Sequence, residues 1–597
     1  MKYKKIIVFL LIVASFILQS CEKVFETSGV SSSSEISTGF EYNNEEFDDY
    51  LDELFIAFLQ GSPLDINFLL RYPEKYGLEN EEVSPTSLSK DGHDEYMNFL
   101  TEVMAEISEF DDEELSSQQR LDKRIILDAF SRELLSKGFY YYERPLSSTL
   151  GYQAQLPFIL AEYRFDDNMD VYNYLKVIES LPSSFESLIN YEKEKIVYGL
   201  GLSDELIDKI ILQCENLLDQ ELNFLIPVFN EKIGYVLDLR KSKETYINEH
   251  IELINNKFVP AYEYLIDELN KLKGNSTIYG GLSHYENGQA YYISLLKQDL
   301  GINFNSIDEI KDEIEQRIDK TIKDLELLIM FKPELYYEFQ SYDFSKGMDE
   351  DELLDYLVDK IKNDFPSLVT ANLEYEFKNV HPSLQETSSP AMYLISPIDS
   401  NAKEVIYINP SEVMIGETYL YNIIAHEAVP GHLYQHVYFK NSKAHPIRHL
   451  LSYSGYSEGW AKYVENFVIK YTSSSAGLTK VYQYNNLIYH LVITRCDIGV
   501  NYDSWDKTQL TTYLKKYFSI NEDGIDDLYF QLVENPGNYA KYYYTYYQFI
   551  KLKDYMEKEI GTSFFKDYDF HKIVLDTGPC PFDILKEEID KNISKFK

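Results

Sequence analysis

From Asn43 onward, apolar residues recur at spacings of three and four, as in Leu51, Leu54, Phe55 and Phe58, or Ile251, Ile254, Phe258, Tyr262 and Leu265. That period marks one face of an α-helix. It predicts long helices over 113–137, 168–197, 204–232, 237–272, 306–331, 349–364, 411–438, 446–470, 478–496 and 537–559, with Pro and Gly between several of them. The expected fold class is mostly α. One stretch departs from the pattern. Ala391–Leu394 and Val405–Asn409 are β-prone, the second alternating Val405, Tyr407 and Asn409 against Ile406 and Ile408, and Pro397, Asp399 and Ser400 supply a turn between them. A small sheet is expected just before the 411–438 helix. The break at Gly274–Gly281 suggests a soft division into an N-terminal helical part, 45–280, and a second part, 281–597, packed as one body.

The N-terminus follows another logic. Lys2, Lys4 and Lys5 precede an apolar run from Ile6 to Leu18, and the segment ends Leu18-Gln19-Ser20-Cys21. This order reads as a signal peptide over 1–20, its apolar run being short for a bilayer-spanning helix. The small residue before Cys21 resembles a bacterial lipobox, in which the cysteine is lipidated and becomes the mature N-terminus. The Ser-, Thr- and Gly-rich stretch Thr27–Gly39 then reads as part of a flexible tether, 21–44. The expected location is the bacterial cell envelope, periplasm or cell surface, with the membrane reached through the lipid alone. Cys214, Cys496 and Cys580 are odd in number and widely spaced, so buried thiols are expected rather than a disulfide framework.

Charge narrows the partners. The 597 residues carry 56 Lys+Arg against 99 Asp+Glu, a net charge of −43. Loss of the three signal-peptide lysines takes 56 to 53 and the net charge to −46. Such a surface excludes nucleic acid, whose binding draws on cationic side chains. With 44% hydrophobic residues the chain buries a core and is no disordered acidic tail. For a peptide substrate, the acidity weakly favours basic or neutral sequences.

Candidate chemistry is concentrated in Ala425-His426-Glu427-Ala428-Val429-Pro430-Gly431-His432-Leu433-Tyr434-Gln435-His436. In H-E-x-x-H zinc sites the two histidines lie one helical turn apart and the glutamate acts as base. Here the second histidine is six residues on, about 240° around a regular helix. Pro430 cannot donate to the ladder and Gly431 tolerates unusual dihedrals, so a bend or bulge is expected that turns His432 back toward His426. His432 and His436 form a competing i, i+4 pair without the acid, and a structural histidine cluster is a further possibility. A third ligand is expected from Glu458 on the next helix, with Glu465, seven residues on, orienting a ligand from behind. The plainer reading of Glu458 is an i, i+4 surface pair with Lys462.

His426–Gln435 together with Glu458-Gly459-Trp460-Ala461-Lys462-Tyr463-Val464-Glu465 resembles the domain of unknown function 885 family, whose bacterial members are similar to gluzincin metallopeptidases. Further matches are Gly288-Gln289-Ala290-Tyr291-Tyr292, Val405–Pro410, Asp497-x-Gly499, Pro536-Gly537 followed by Tyr542, and Phe570-His571-x-x-Val574-Leu575 with Gly578 and Pro581. The resemblance implies a helical, zincin-like hydrolase in which His426, His432 and Glu458 hold one Zn²⁺ and Glu427 is the general base. Tyr542 matches a tyrosine expected to stabilise the oxyanion. Asp497 matches the D-x-G segment and is expected behind the ligands. The chain departs from the family at Asn501, where a histidine is usual, and at Thr545, where a glycine is usual. Arg495 reads either as a clamp for a substrate carboxylate or as a structural ion pair, and His571 either as catalytic or as packing. The expected function is a lipid-anchored, zinc-dependent peptidase, with the sheet edge at Val405–Asn409 holding substrate backbone by strand addition. The alternative is a surface-tethered glycan- or peptide-binding lipoprotein whose metal site is structural or vestigial.

Overall fold

A computed structural model describes residues 43–595, apart from 149, 220–223, 277–278, 343, 345–346, 369–372, 382–384, 386–388, 396, 401–402, 414–416 and 473. The signal peptide, Cys21 and nearly all of the expected tether lie outside the described residues. The helices used below are α1 (Glu45–Leu59), α2 (Lys90–Glu109), α3 (Ser117–Glu133), α4 (Asn168–Val197), α5 (Asp204–Asp219), α6 (Lys243–Leu253), α7 (Val259–Leu272), α8 (Gly288–Leu300) and α9 (Ile307–Phe331). Three strands follow, β1 (Tyr375–Asn379), β2 (Ala391–Leu394) and β3 (Glu404–Ile408). The chain then builds α10 (Glu417–Glu427), α11 (His432–Lys440), α12 (Ser454–Phe467), α13 (Ala476–Asn501), α14 (Asn538–Ile560), α15 (Asp567–Thr577) and α16 (Phe582–Ile593). No described helix is long and apolar enough to cross a membrane.

Local chemistry sets many of these ends. Ser116 and Gln119 form a capping box on α3, and Asp167 with Asp170 forms another on α4. Lys243 to Leu272 is one continuous helical run, with a single π-turn at Ile254–Phe258 separating α6 from α7. The expected helix over 411–438 is instead interrupted between Glu427 and His432, and β1 is a strand that periodicity alone does not predict.

The side chains divide into two large cores. One joins α1–α3 to α8, α9 and the helices from α10 onward; the other is built by α4–α7 and the segments around them. The sheet lies between. Its order is β1-β3-β2, with β1 parallel and β2 antiparallel to β3, and Ala391 opposite Ile408. Ala391, Tyr393, Ile406 and Ile408 enter the first core, while Met392 and Tyr407 enter the second. The period of two along a strand thus places one sheet between two hydrophobic surfaces.

This order corrects one expectation. β3 is paired on both sides and offers no edge for a substrate strand. Among the described residues the strands with an unpaired side are β1 and β2, and it is β2 whose Tyr393 amide donates to the Glu427 Oε2 carboxylate oxygen at 3.0 Å.

Candidate metal centre

The histidines are brought together by a break in the helix. α10 ends at Glu427, the Val429–Pro430 peptide bond is cis, and α11 begins at His432. Gly431 is required here for room. A Cβ on it would lie 1.7 Å from the His426 carbonyl oxygen and 2.5 Å from that of Ala425, far inside contact distance. The Pro430 carbonyl oxygen accepts a hydrogen bond from Trp460 Nε1 at 2.9 Å, and Trp460 is wholly buried. The Pro-Gly turn of one motif is therefore fixed by the tryptophan of the other. The rings of His426 and His432 stand nearly perpendicular with centroids 4.8 Å apart.

α12 brings the acids. Glu458 Oε2 lies 3.4 Å from His432 Nε2 and 3.7 Å from His426 Nε2. Among the described residues, His426, His432 and Glu458 form the one group of three possible ligands whose atoms all lie within 4.8 Å of one another. Tetrahedral zinc, with bonds of about 2.0–2.1 Å, places neighbouring ligand atoms about 3.4 Å apart. The spacing and the N,N,O donor set fit such an ion, and Glu458 Oε2, buried and in no hydrogen bond, has the free lone pairs it requires. The competing pair does not form: His436 faces Tyr393 and His449, and its imidazole is pushed well below the ordinary range by burial, Lys440 and His449.

The electrostatics favour a cation at this point. Burial alone would raise the Glu458 carboxyl, but His432 and His426 outweigh it and hold the group well below the usual carboxylate range. Burial also opposes the low value of Glu465, which Lys462 and His426 bring down to about 2. For His426 burial favours the neutral ring, yet Glu458 and Glu465 carry it up to about 9. Glu465 Oε2 sits 3.4 Å from His426 Nδ1 and accepts from Lys462 Nζ at 2.7 Å, so it orients the imidazole from behind. Lys462 thus pairs with Glu465, rather than forming the surface pair with Glu458.

Glu427 stands on the other side, with Oε1 4.0 Å from His426 Nε2 and Oε2 held by the β2 amide. Tyr542, on α14, faces Glu458 and Glu427; burial and these two carboxylates push its phenol well above the ordinary value, so it stays protonated and can donate. His432, Gln435, Glu458 and Tyr542 line a cavity of about 1030 Å³.

The sequence matches the family of a bacterial protein of unknown function (DUF885) over residues 74–589. The chain belongs to the DUF885 family. A crystal structure of a candidate lipoprotein from Colwellia psychrerythraea is similar to this DUF885 chain with a TM-score of 0.78 at 14% identity, covering 92% of this chain and 99% of that one. A lipoprotein-type structure of unknown function from Shewanella oneidensis gives 0.59 at 15% identity, over 91% and 98%. These likenesses concern the fold. No curated protein matches the sequence.

Other motif residues of this DUF885 chain lie away from the ligands. Asp497 is fully buried; its Oδ1 accepts from the Tyr292 hydroxyl and the Gly537 and Asn501 nitrogens, and its Oδ2 from the Ala540 amide. It caps α14, the helix that carries Tyr542. Asn501 completes the same network, donating also to the Leu532 carbonyl and accepting from the Leu282 amide. Thr545 is buried where α14 crosses α12; a Cβ on Gly459 would lie 2.6 Å from its Oγ1, and one on Gly455 2.9 Å from its Cγ2. The two departures from the family are thus packing positions. Arg495 pairs with Asp503 at 2.9 Å and Glu315 at 3.3 Å and stacks on Trp505. His571 lies on Phe365, its Nδ1–H donating to the Asp364 carbonyl and its Nε2 accepting from the Tyr463 hydroxyl at 2.8 Å. Neither borders the cavity. The three described cysteines are free and buried, and burial raises each thiol, Cys214 to about 12.

Sequence reasoning does not find the Tyr393 amide behind Glu427, because it is a backbone group from another element. Nor does it find Gly431 as a contact point, although the Pro-Gly pair signals a break.

Proposed function

We propose that the protein is a zinc-dependent peptidase, exported and held at the bacterial envelope by a lipid on Cys21. The observation that carries this reading is the convergence of His426, His432 and Glu458 beside a glutamate, Glu427, that stands outside this group and accepts a hydrogen bond from a β-strand amide. A bound metal supplies a Lewis acid and lowers the pKa of a water toward neutrality. The chain's own residues do the rest. Glu427 takes a proton from the attacking water at a carboxylate oxygen as the new C–O bond forms. It then returns the proton to the amine nitrogen as the C–N bond breaks. The Tyr542 hydroxyl donates to the carbonyl oxygen as negative charge gathers there. β2 lines up substrate backbone beside Glu427 through its unpaired side, taking the part first expected of β3.

The test is a peptide-library digest by purified protein, run with and without chelator beside metal analysis. Zinc at about one ion per chain with chelator-sensitive cleavage supports the proposal. Bound zinc without cleavage of any peptide favours the ligand-binding alternative.

A further inference from the structure

The cavity that reaches the metal centre carries a second group of acids on its wall: Glu133 at the end of α3, Asp299 near the end of α8, and Glu143 in the segment after α3. The three form one electrostatic group: Asp299 acts on Glu133, Glu133 on Glu143, and Tyr291 feels both Glu143 and Asp299. Burial pushes all three carboxyls up, Glu143 to about 7.

What makes these acids unusual is their lack of partners. No described group donates a hydrogen bond to any of the three carboxylates. The nearby cations are engaged or offset. Arg132 is bound by Asp128 and by the Lys297 and Ile302 carbonyls. Lys195 is bound by Glu192 and the Glu143 carbonyl. Lys541, which also borders the cavity, lowers Asp299 only against a larger burial effect. An independent feature points the same way. Tyr140 is 5% exposed, borders the same cavity within reach of Glu143, and its hydroxyl has no hydrogen-bond partner. A half-buried acceptor set beside an unused hydroxyl, in a cavity also lined by Tyr96 and Tyr291, suits an organic cation, which gains from carboxylates and aromatic rings together. A compact divalent ion suits it less, because these three carboxylates do not converge as His426, His432 and Glu458 do.

We propose that this recess holds the cationic group, an ammonium or guanidinium, of a peptide whose scissile bond reaches the metal centre. The proposal rests on the peptidase reading for its second half and on the recess alone for its first. Substrate charge is then selected inside the cleft, and the net charge of −43 adds only long-range attraction.

The experiment separates the two halves. Binding of tetralysine and of N-acetylated tetraalanine amide is measured calorimetrically at physiological salt, with full-length Glu427→Gln protein and the same protein carrying Glu133→Gln and Asp299→Asn. Peptides of both kinds are also presented to wild type for cleavage. The recess predicts at least about tenfold tighter binding of the cationic peptide, with the preference lost in the triple variant while metal content is unchanged. Amides match the carboxylates in shape, and thermal unfolding checks the fold; Glu143→Gln alone, expected to lose part of the preference, is a second probe. Equal binding of the two peptides, or a preference that survives all these changes, overturns the inference. Selective binding without cleavage upholds the recess and removes the peptidase reading. Chelator-sensitive cleavage that ignores peptide charge does the reverse.

Discussion

His426 and His571 are both enclosed by protein, on helices that pack around the same core, yet their surroundings act on them in opposite directions. His426 faces Glu458 and Glu465 and is raised to about 9. His571 is lowered to about 3, burial being the largest cause, with Lys553 adding to it, and its ring nitrogens meet a carbonyl and a hydroxyl while its face lies on Phe365. Burial is common to both; the carboxylates are not. A histidine is prepared for a cation where acids are held anionic against it, and serves packing where its nitrogens are satisfied by neutral groups. The same contrast separates Glu458, held low by its imidazoles, from Glu133, raised by burial and by Asp299, and from Asp299, raised by burial that Lys541 offsets only in part.

The widest gap between the two histidine regions should come from Glu458→Gln set against His571→Gln. The first should bring metal content to background and cut hydrolysis by about a thousandfold, since it removes a ligand. The second should keep both within about threefold while lowering stability by about 1–3 kcal/mol, read by chemical denaturation. Metal loss in His571→Gln would erase the distinction.

Gly431→Ala should come next. The added methyl meets backbone, not a flexible side chain, so the turn must open and His432 must move. A fall in zinc affinity of about tenfold or more and a melting temperature lower by several degrees are expected. Unchanged zinc affinity would show that the turn does not position the ligand.

The smallest effect is a pH dependence. The folded value of His571 lies below its unfolded value of about 6.5, so the unfolded chain binds the extra proton preferentially. Its contribution is intact above pH 6.5 and is lost as pH falls toward 3, at up to about 1.4 kcal/mol per pH unit. His571→Gln should flatten that part of the profile, measured as unfolding free energy between pH 7 and 5. Equal slopes would mean that the ring is not held neutral.

The convergence of His426, His432 and Glu458 was legible because they sit in two short, distinctive segments, and the Pro-Gly pair announced that the helix could not run straight. The mostly helical character and two of the three strands were legible from period alone, as in Asn168–Val197 and Ala391–Leu394. What stayed hidden depends on distant pairings. β1 is held by β3, the pairing that makes β3 central, and Asp497 acts on a helix forty residues away. The recess was hidden for another reason: acids on amphipathic helices read as solvated faces. A faint signal exists, because Glu133 follows Phe130 by three positions and Asp299 follows Leu296 by three, placing each acid in phase with the apolar side.

The central claim, that Glu427 moves the proton while three other residues hold the metal, is tested most directly by measuring turnover and bound zinc together in Glu427→Gln. Zinc at the wild-type level with hydrolysis reduced by about a thousandfold or more is the expected result. Hydrolysis equal to wild type at full zinc occupancy would contradict it.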